Sequence, residues 1–143
     1  NSGGNQPVTS CHEKNLCYDY ISLQANRKGS VIMAVTIKDY EEIRRVAQLY
    51  IDGGNGDSAI MKSAFHKNAT INGEPIQTLF DGVDRAGKAN SRAIVDVLDV
   101  VNDVAAIRIT MEDWHGQNFV DFHILRRDES GWKIVAKVFT ETK

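Results

Sequence analysis

The side chains best suited to moving protons gather near the end of the chain, where Asp121, His123 and Lys137 fall within two neighbouring apolar segments. A carboxylate and an ammonium flanking an imidazole shift its proton affinity and let it act as acid or base near neutrality. The alternative is a buried ion pair and hydrogen-bond network that satisfies polar groups without chemistry. His66 is a weaker candidate, because it reads as the closing residue of a short helix, where positive charge is favoured. Trp114 and His115 fall at a hairpin tip, where they either lid a ligand or form an exposed turn. Cys11, His12 and Cys17 lack a second ligand pair, so neither a metal site nor a cofactor is expected, and whether Cys11 and Cys17 pair stays open.

The elements that must position the trio are residues 119–127 and 132–140, both rich in Val, Ile and Phe and separated by Asp128-Glu129-Ser130-Gly131. They predict an antiparallel hairpin. Asp opening a type I turn, with Gly at the left-handed position, predicts a three-residue loop closed by a G1 bulge, which sets Asp128 opposite Trp132. In that register His123 faces Lys137, Asp121 faces Phe139 and Leu125 faces Val135. One face then carries Phe119, Asp121, His123, Leu125, Val135, Lys137 and Phe139. The other carries Val120, Phe122, Ile124, Trp132, Ile134, Ala136 and Val138 and is apolar throughout. Both faces therefore need cover, the mixed one from the chain's own helices and the apolar one from a second copy. The expected homodimer contact comprises Val120, Phe122, Ile124, Trp132, Ile134 and Val138.

A length of 143 residues suits one domain burying about two-thirds of its unfolded surface. The net charge is −2, with 17 basic and 19 acidic residues interspersed, which leaves no electrostatic footprint for nucleic acid. No apolar run approaches the roughly 20 residues that span a membrane, and no signal-peptide pattern appears, so no membrane contact and a cytoplasmic location are expected.

Residues 1–35, rich in Asn, Ser and Gly, read as an N-terminal extension or arm, and residues 36–143 as the single domain. Thr36 opens a helix, with Asp39 completing a capping-box-like pair, and Ile37, Tyr40, Ile43, Val46, Ala47, Tyr50 and Ile51 recur at helical spacing. Gly53-Gly54-Asn55-Gly56 ends it. Asp57 caps a second short helix, closed by His66-Lys67. A strand over 69–72 is broken by Gly73-Glu74-Pro75, and Pro75 suits the first position of a third helix carrying Ile76, Leu79, Phe80 and Val83 on one side. Strands follow over 92–101, 104–113, 119–127 and 132–140, with turns at Asn102-Asp103 and His115-Gly116. Helices followed by an antiparallel run give an α+β fold with helices over one face of a curved sheet.

This order, with Leu49-Tyr50-Ile51-Asp52-Gly53, Ala64-Phe65-His66-Lys67-Asn68-Ala69-Thr70, Phe119-Val120-Asp121-Phe122 and the run from Gly131 to Phe139, resembles the nuclear-transport-factor-2-like superfamily. Within it the bacterial SnoaL-like, lumazine-binding branch is the most similar, over about residues 36–140. The resemblance implies a cone, a curved sheet wrapped around three helices with a pocket inside, often paired through sheet faces. Such cones serve isomerases, dehydratases, hydrolases and polyketide cyclases as well as proteins that only bind or associate, so fold leaves function open. By resemblance to ketosteroid isomerases, Tyr50 takes the position of the oxyanion-stabilising tyrosine and His123 that of its partner acid. The general-base position falls on Gly73, which cannot accept a proton, with Glu74 adjacent. Polyketide cyclases point to Asp121 as acid or base.

Together these readings predict a mostly apolar pocket lined by Tyr50, Phe65, Ile71, Phe80, Phe119, Asp121, His123, Lys137 and Phe139, holding a small organic molecule. The expected function is small-molecule binding. The alternatives are a cofactor-independent acid/base enzyme, with Asp121 and His123 moving protons and Tyr50 or Lys137 stabilising negative charge, and a dimeric association module.

Overall fold

The computed structural model describes residues 34–143, so the expectations for the N-terminal arm and for Cys11, His12 and Cys17 lie outside the described residues. Helix α1 spans Ile37–Gly54. The Asp39 carboxylate accepts the backbone N–H of Thr36 at 2.8 Å and its hydroxyl at 3.0 Å, tying down the first turn. Ile43, Val46, Ala47, Tyr50 and Ile51 form its buried stripe, while Ile37 and Tyr40, expected on that stripe, are exposed. Helix α2, Ser58–Ala64, is capped by Asp57 Oδ1, which accepts the N–H groups of Ala59 and Ile60. At Gly53 the helices approach so closely that a Cβ would lie 2.4 Å from the Met61 nitrogen, so only glycine fits.

The second helix ends earlier than expected, at Ala64, and strand β1 runs over Phe65–Ile71. His66 and Lys67 therefore belong to a strand rather than a helix end. Asn72, at a φ of 47°, and Gly73, at 85°, turn the chain into β2, Glu74–Pro75. Helix α3, Gln77–Ala86, begins after Pro75 rather than at it. Strands β3 (Arg92–Val101), β4 (Val104–Trp114), β5 (Gln117–Asp128) and β6 (Gly131–Thr142) complete a curved six-stranded sheet in the order β2-β1-β6-β5-β4-β3. All pairings are antiparallel except β1 with β6. The helices cover one face, where Ile107, Ile109, Leu125 and Ile134 are fully buried. This is the expected α+β cone.

In the β5–β6 hairpin His123 faces Lys137 and Asp121 faces Phe139, as expected, but nearer the turn Leu125 faces Ile134 and Asp128 faces Gly131. The loop is Glu129-Ser130 alone, and the extra residue is taken up at Val135 instead of at the turn. Trp132 and Ile134 consequently point into the core, 1% and 0% exposed, and leave the expected dimer face. The energetics favour this arrangement. Burying each of these side chains stabilises by about 2–3 kcal/mol, against about 1 kcal/mol for a disturbed ladder hydrogen bond. Inside, Trp132 Nε1 donates to Asp39 Oδ1 at 3.1 Å and Arg127 Nη1 to the same oxygen at 2.5 Å. The outer face keeps Phe122, Ile124 and Val138 exposed, joined by Ile94, Leu98 and Val104.

Candidate functional site

The site forms where α1 meets the cavity end of the hairpin. Tyr50 lies on the buried stripe of α1, four residues beyond Val46, and so points at the sheet. Asp121 and His123 alternate inward on β5, and Lys137 stands opposite His123 on β6. The Tyr50 hydroxyl donates to Asp121 Oδ2 at 2.5 Å, and Lys137 Nζ reaches the same oxygen at 2.9 Å. His123 Nε2 lies 3.6 Å from that oxygen, too long for a hydrogen bond, and its ring packs edge-on against Tyr50 at 4.6 Å. All four side chains are buried. Asp121 Oδ1 and both ring nitrogens of His123 have no hydrogen-bond partner among the described residues.

Burial pulls each group toward its neutral form, and the neighbours decide the outcome. For Asp121 burial raises the pKa, but His123, the Lys137 ammonium and the Tyr50 hydroxyl together outweigh it and hold the carboxyl below its usual value. Burial drives His123 down; Asp121 opposes this only in part and Lys137 adds to it, so the imidazole is neutral at pH 7. Burial also lowers Lys137, with Asp121 offsetting part of the effect. Tyr50 is raised well above its usual value by burial and by the Asp121 charge that it hydrogen-bonds, so it is a proton donor and not a phenolate. The Asp121 carboxylate and the Lys137 ammonium form an ion pair at 2.9 Å, so the cluster carries no net charge.

Tyr50, Asp121 and Lys137 share the wall of a cavity of about 420 Å³ with Ile71, Phe119 and Phe139, so six of the expected lining residues come together. Phe65, Phe80 and His123 do not line it. Phe65 and Phe80 pack edge-on against each other at 5.7 Å, facing a separate groove, and His123 is sealed off with 0% exposure. His123 thus stands behind Asp121, 3.6 Å from its Oδ2, rather than in the cavity wall where it was expected. The residues not anticipated are Met61, Met111, Leu79 and Val83, with Gly54 and Gly82 leaving room, and Asn72, Glu74 and Thr78, whose exposure marks the open side. Leu79 and Val83 carried a signal, the inward side of α3, but periodicity does not distinguish packing on a neighbour from facing a void. Trp114 lines the cavity as well, and its Nε1 donates to the Gly54 carbonyl at 2.7 Å, satisfying a free group at the end of α1. Its ring meets Phe119 at 6.1 Å, and Phe119 meets Phe139 at 5.8 Å, a continuous aromatic wall. Among the described residues no group of three His, Cys, Asp or Glu side chains is placed to share a metal ion, and no helix is long and apolar enough to cross a membrane.

The profile of a family described as "Putative lumazine-binding" matches residues 38–140. A nuclear-transport-factor-2-like protein of unknown function from Shewanella baltica OS155 is 32% identical, with a TM-score of 0.73 over 78% of this chain and 99% of that one. A second, from Methylobacillus flagellatus KT, is 30% identical, with a TM-score of 0.71 over 77% of this chain and 97% of that one. A cystatin-like domain of unknown function from Nostoc punctiforme PCC 73102, 17% identical with a TM-score of 0.65 over 76% and 80% of the two chains, shares the fold. No curated protein matches the chain.

Proposed function

The chain belongs to the family described as "Putative lumazine-binding", of nuclear-transport-factor-2-like fold, and from that premise we propose that its cavity binds an uncharged small organic molecule through Asp121 and Lys137. The observation that carries this reading is the composition of the inner wall, a zero-charge Tyr50–Asp121–Lys137 cluster set among apolar side chains, with the exposed Asn72, Glu74 and Thr78 confined to the open side. Past the Glu74 rim, a charged ligand would meet no unpaired counter-charge on the inner wall and would lose its hydration. A neutral one with an N–H or O–H beside an acceptor satisfies Asp121 Oδ1, which the protein leaves bare, and takes up a spare N–H of Lys137. The volume falls within the range of small-molecule sites.

Calorimetric titration with lumazine, an uncharged bicycle with N–H groups beside carbonyls, tests the reading against quinoxaline, a similar bicycle without an N–H. Saturable binding of lumazine and none of quinoxaline is the expected result. Equal binding of both would refute recognition by the polar cluster, and binding of neither would favour an association role for the fold.

One observation favours a second, enzymatic reading. Asp121 is held as a carboxylate beside two donors, the arrangement of a base that takes a proton while Tyr50 and Lys137 stabilise the resulting negative charge. Exchange of solvent deuterium into a bound carbon acid, lost in Asp121→Asn, would establish it. We also propose that the outer sheet face, with Phe122, Ile124 and Val138 exposed and Val120 beside them, is covered by a second copy of the chain. Sedimentation of a monomer at micromolar concentration would refute that.

A further inference from the structure

A second concavity, of about 620 Å³, opens between α2, β1 and α3, and it shares no wall residue with the cavity. Its chemistry differs from the cavity's. The basic side chains in its wall are Lys62, His66 and Lys67, and the wall itself holds no carboxylate, Asp128 near His66 standing outside it. Neither lysine has an ion pair or a hydrogen-bond acceptor among the described residues. The Lys62 ammonium stands 5.5 Å from the centre of the Phe80 ring, held over an aromatic floor that Phe65 extends. His66 Nδ1 accepts the backbone N–H of Asn68 at 3.1 Å, which leaves the proton of a neutral ring on Nε2 as a free donor. Asn68 and Thr70 add uncharged polar groups. The nearby Asp81 is engaged by Gln77 Nε2 at 2.8 Å and stands outside the wall.

Two unpaired ammonium groups and an imidazole N–H around a buried aromatic floor complement a ligand that is anionic at one end and apolar at the other. We propose that this groove is a second binding site, for a small organic anion, a carboxylate or phosphate ester whose apolar body rests on Phe80. The anion meets Lys62 and Lys67, with His66 Nε2 donating a further hydrogen bond. The site stands apart from the reading of the cavity, since a neutral ligand there and an anion here use different walls and different electrostatics.

Amide chemical shifts of the whole chain, titrated with phenyl phosphate, test the proposal. The expected result is a saturable shift at residues 66–70, 77 and 80, with the signals of Met111, Trp114 and Phe119 unmoved. Benzyl alcohol, which keeps the ring and lacks the charge, should leave all of them in place. Lys62→Gln with Lys67→Gln, both at exposed positions, should weaken phenyl phosphate binding at least about tenfold while the fold is kept. Shifts confined to the cavity residues would overturn the proposal. So would an equal response to inorganic phosphate, which would reduce the groove to a patch of surface charge, or capture by anionic lipid vesicles without any response to phenyl phosphate, which would favour a membrane surface.

Discussion

At the turn end of the β5–β6 hairpin, Asp39 collects four donors, two on each carboxylate oxygen, from Thr36, Arg127 and Trp132. At the cavity end, Asp121 receives every close neighbour on Oδ2 and leaves Oδ1 empty, with a histidine behind it whose two nitrogens are also unpartnered. Both carboxylates are buried, and both join α1 to the same pair of strands. The first is saturated by the protein. The second is complete only when something else supplies a donor. A buried polar group left bare costs about 1–3 kcal/mol, so the cavity end carries a cost that the turn end avoids, as expected of a group kept for binding.

Breaking the saturated end should have the largest effect. Asp39→Ala removes the tie on α1 and strands Arg127 and the Trp132 indole without an acceptor, so a loss of about 3 kcal/mol in urea unfolding is expected, with ligand affinity of the folded protein unchanged. A loss under about 1 kcal/mol would make the cluster no more than a surface ion pair. Replacing the cavity pair by neutral groups of similar size, Asp121→Asn with Lys137→Met, should invert the pattern. Stability holds within about 1 kcal/mol or rises, because a buried pair repays little more than its desolvation, while calorimetry shows lumazine affinity down about a hundredfold, ~2.7 kcal/mol. If this variant unfolds as readily as Asp39→Ala, the contrast between the two ends collapses.

Acid should act on the two ends with the same sign, since both carboxyls are held below their usual value. Burial works against the Asp39 carboxylate, yet the Thr36 N–H, the Trp132 indole, the Thr36 hydroxyl and Arg127 bring its pKa from 3.8 to about 2. A depressed carboxyl stabilises the fold above its unfolded value, and this contribution is lost as pH falls from about 4 toward 2. The window should cost ~2 kcal/mol, read as a falling urea midpoint, and Asp39→Asn should flatten that part of the profile. An unchanged slope in the variant would remove Asp39 from the account.

The register at the cavity end was legible in the sequence because Asp121, His123 and Lys137 are polar residues at alternate positions among apolar ones, which fixes which of them share a face. The turn end was not. Ile134 and Val135 are adjacent apolar residues, so either can face inward, and alternation alone does not mark the residue that drops out of the ladder. The choice was made by Trp132, whose burial and bond to Asp39 depend on a helix 93 residues away in sequence. Helix α1 and its cap were readable locally, whereas the exposure of Ile37 and Tyr40 depends on where the sheet stops. In the site, Tyr50, Phe119, Asp121, Lys137 and Phe139 could be named from type, but Phe65, Phe80 and His123, named in the same way, stand outside the wall and Glu74 was not among the expected lining residues. Met61, Met111 and the two glycines could not, since nothing in their local spacing separates a core contact from the rim of a void.

The placement of the two tryptophans has an experimental consequence. The chain carries two of them, Trp132 locked into the Asp39 cluster and Trp114 in the cavity wall. Each region thus has its own intrinsic fluorophore. Trp132→Phe isolates an emission that responds to cavity occupancy, and Trp114→Phe one that responds to loosening of the anchor, so two single-tryptophan variants follow the two regions without a label.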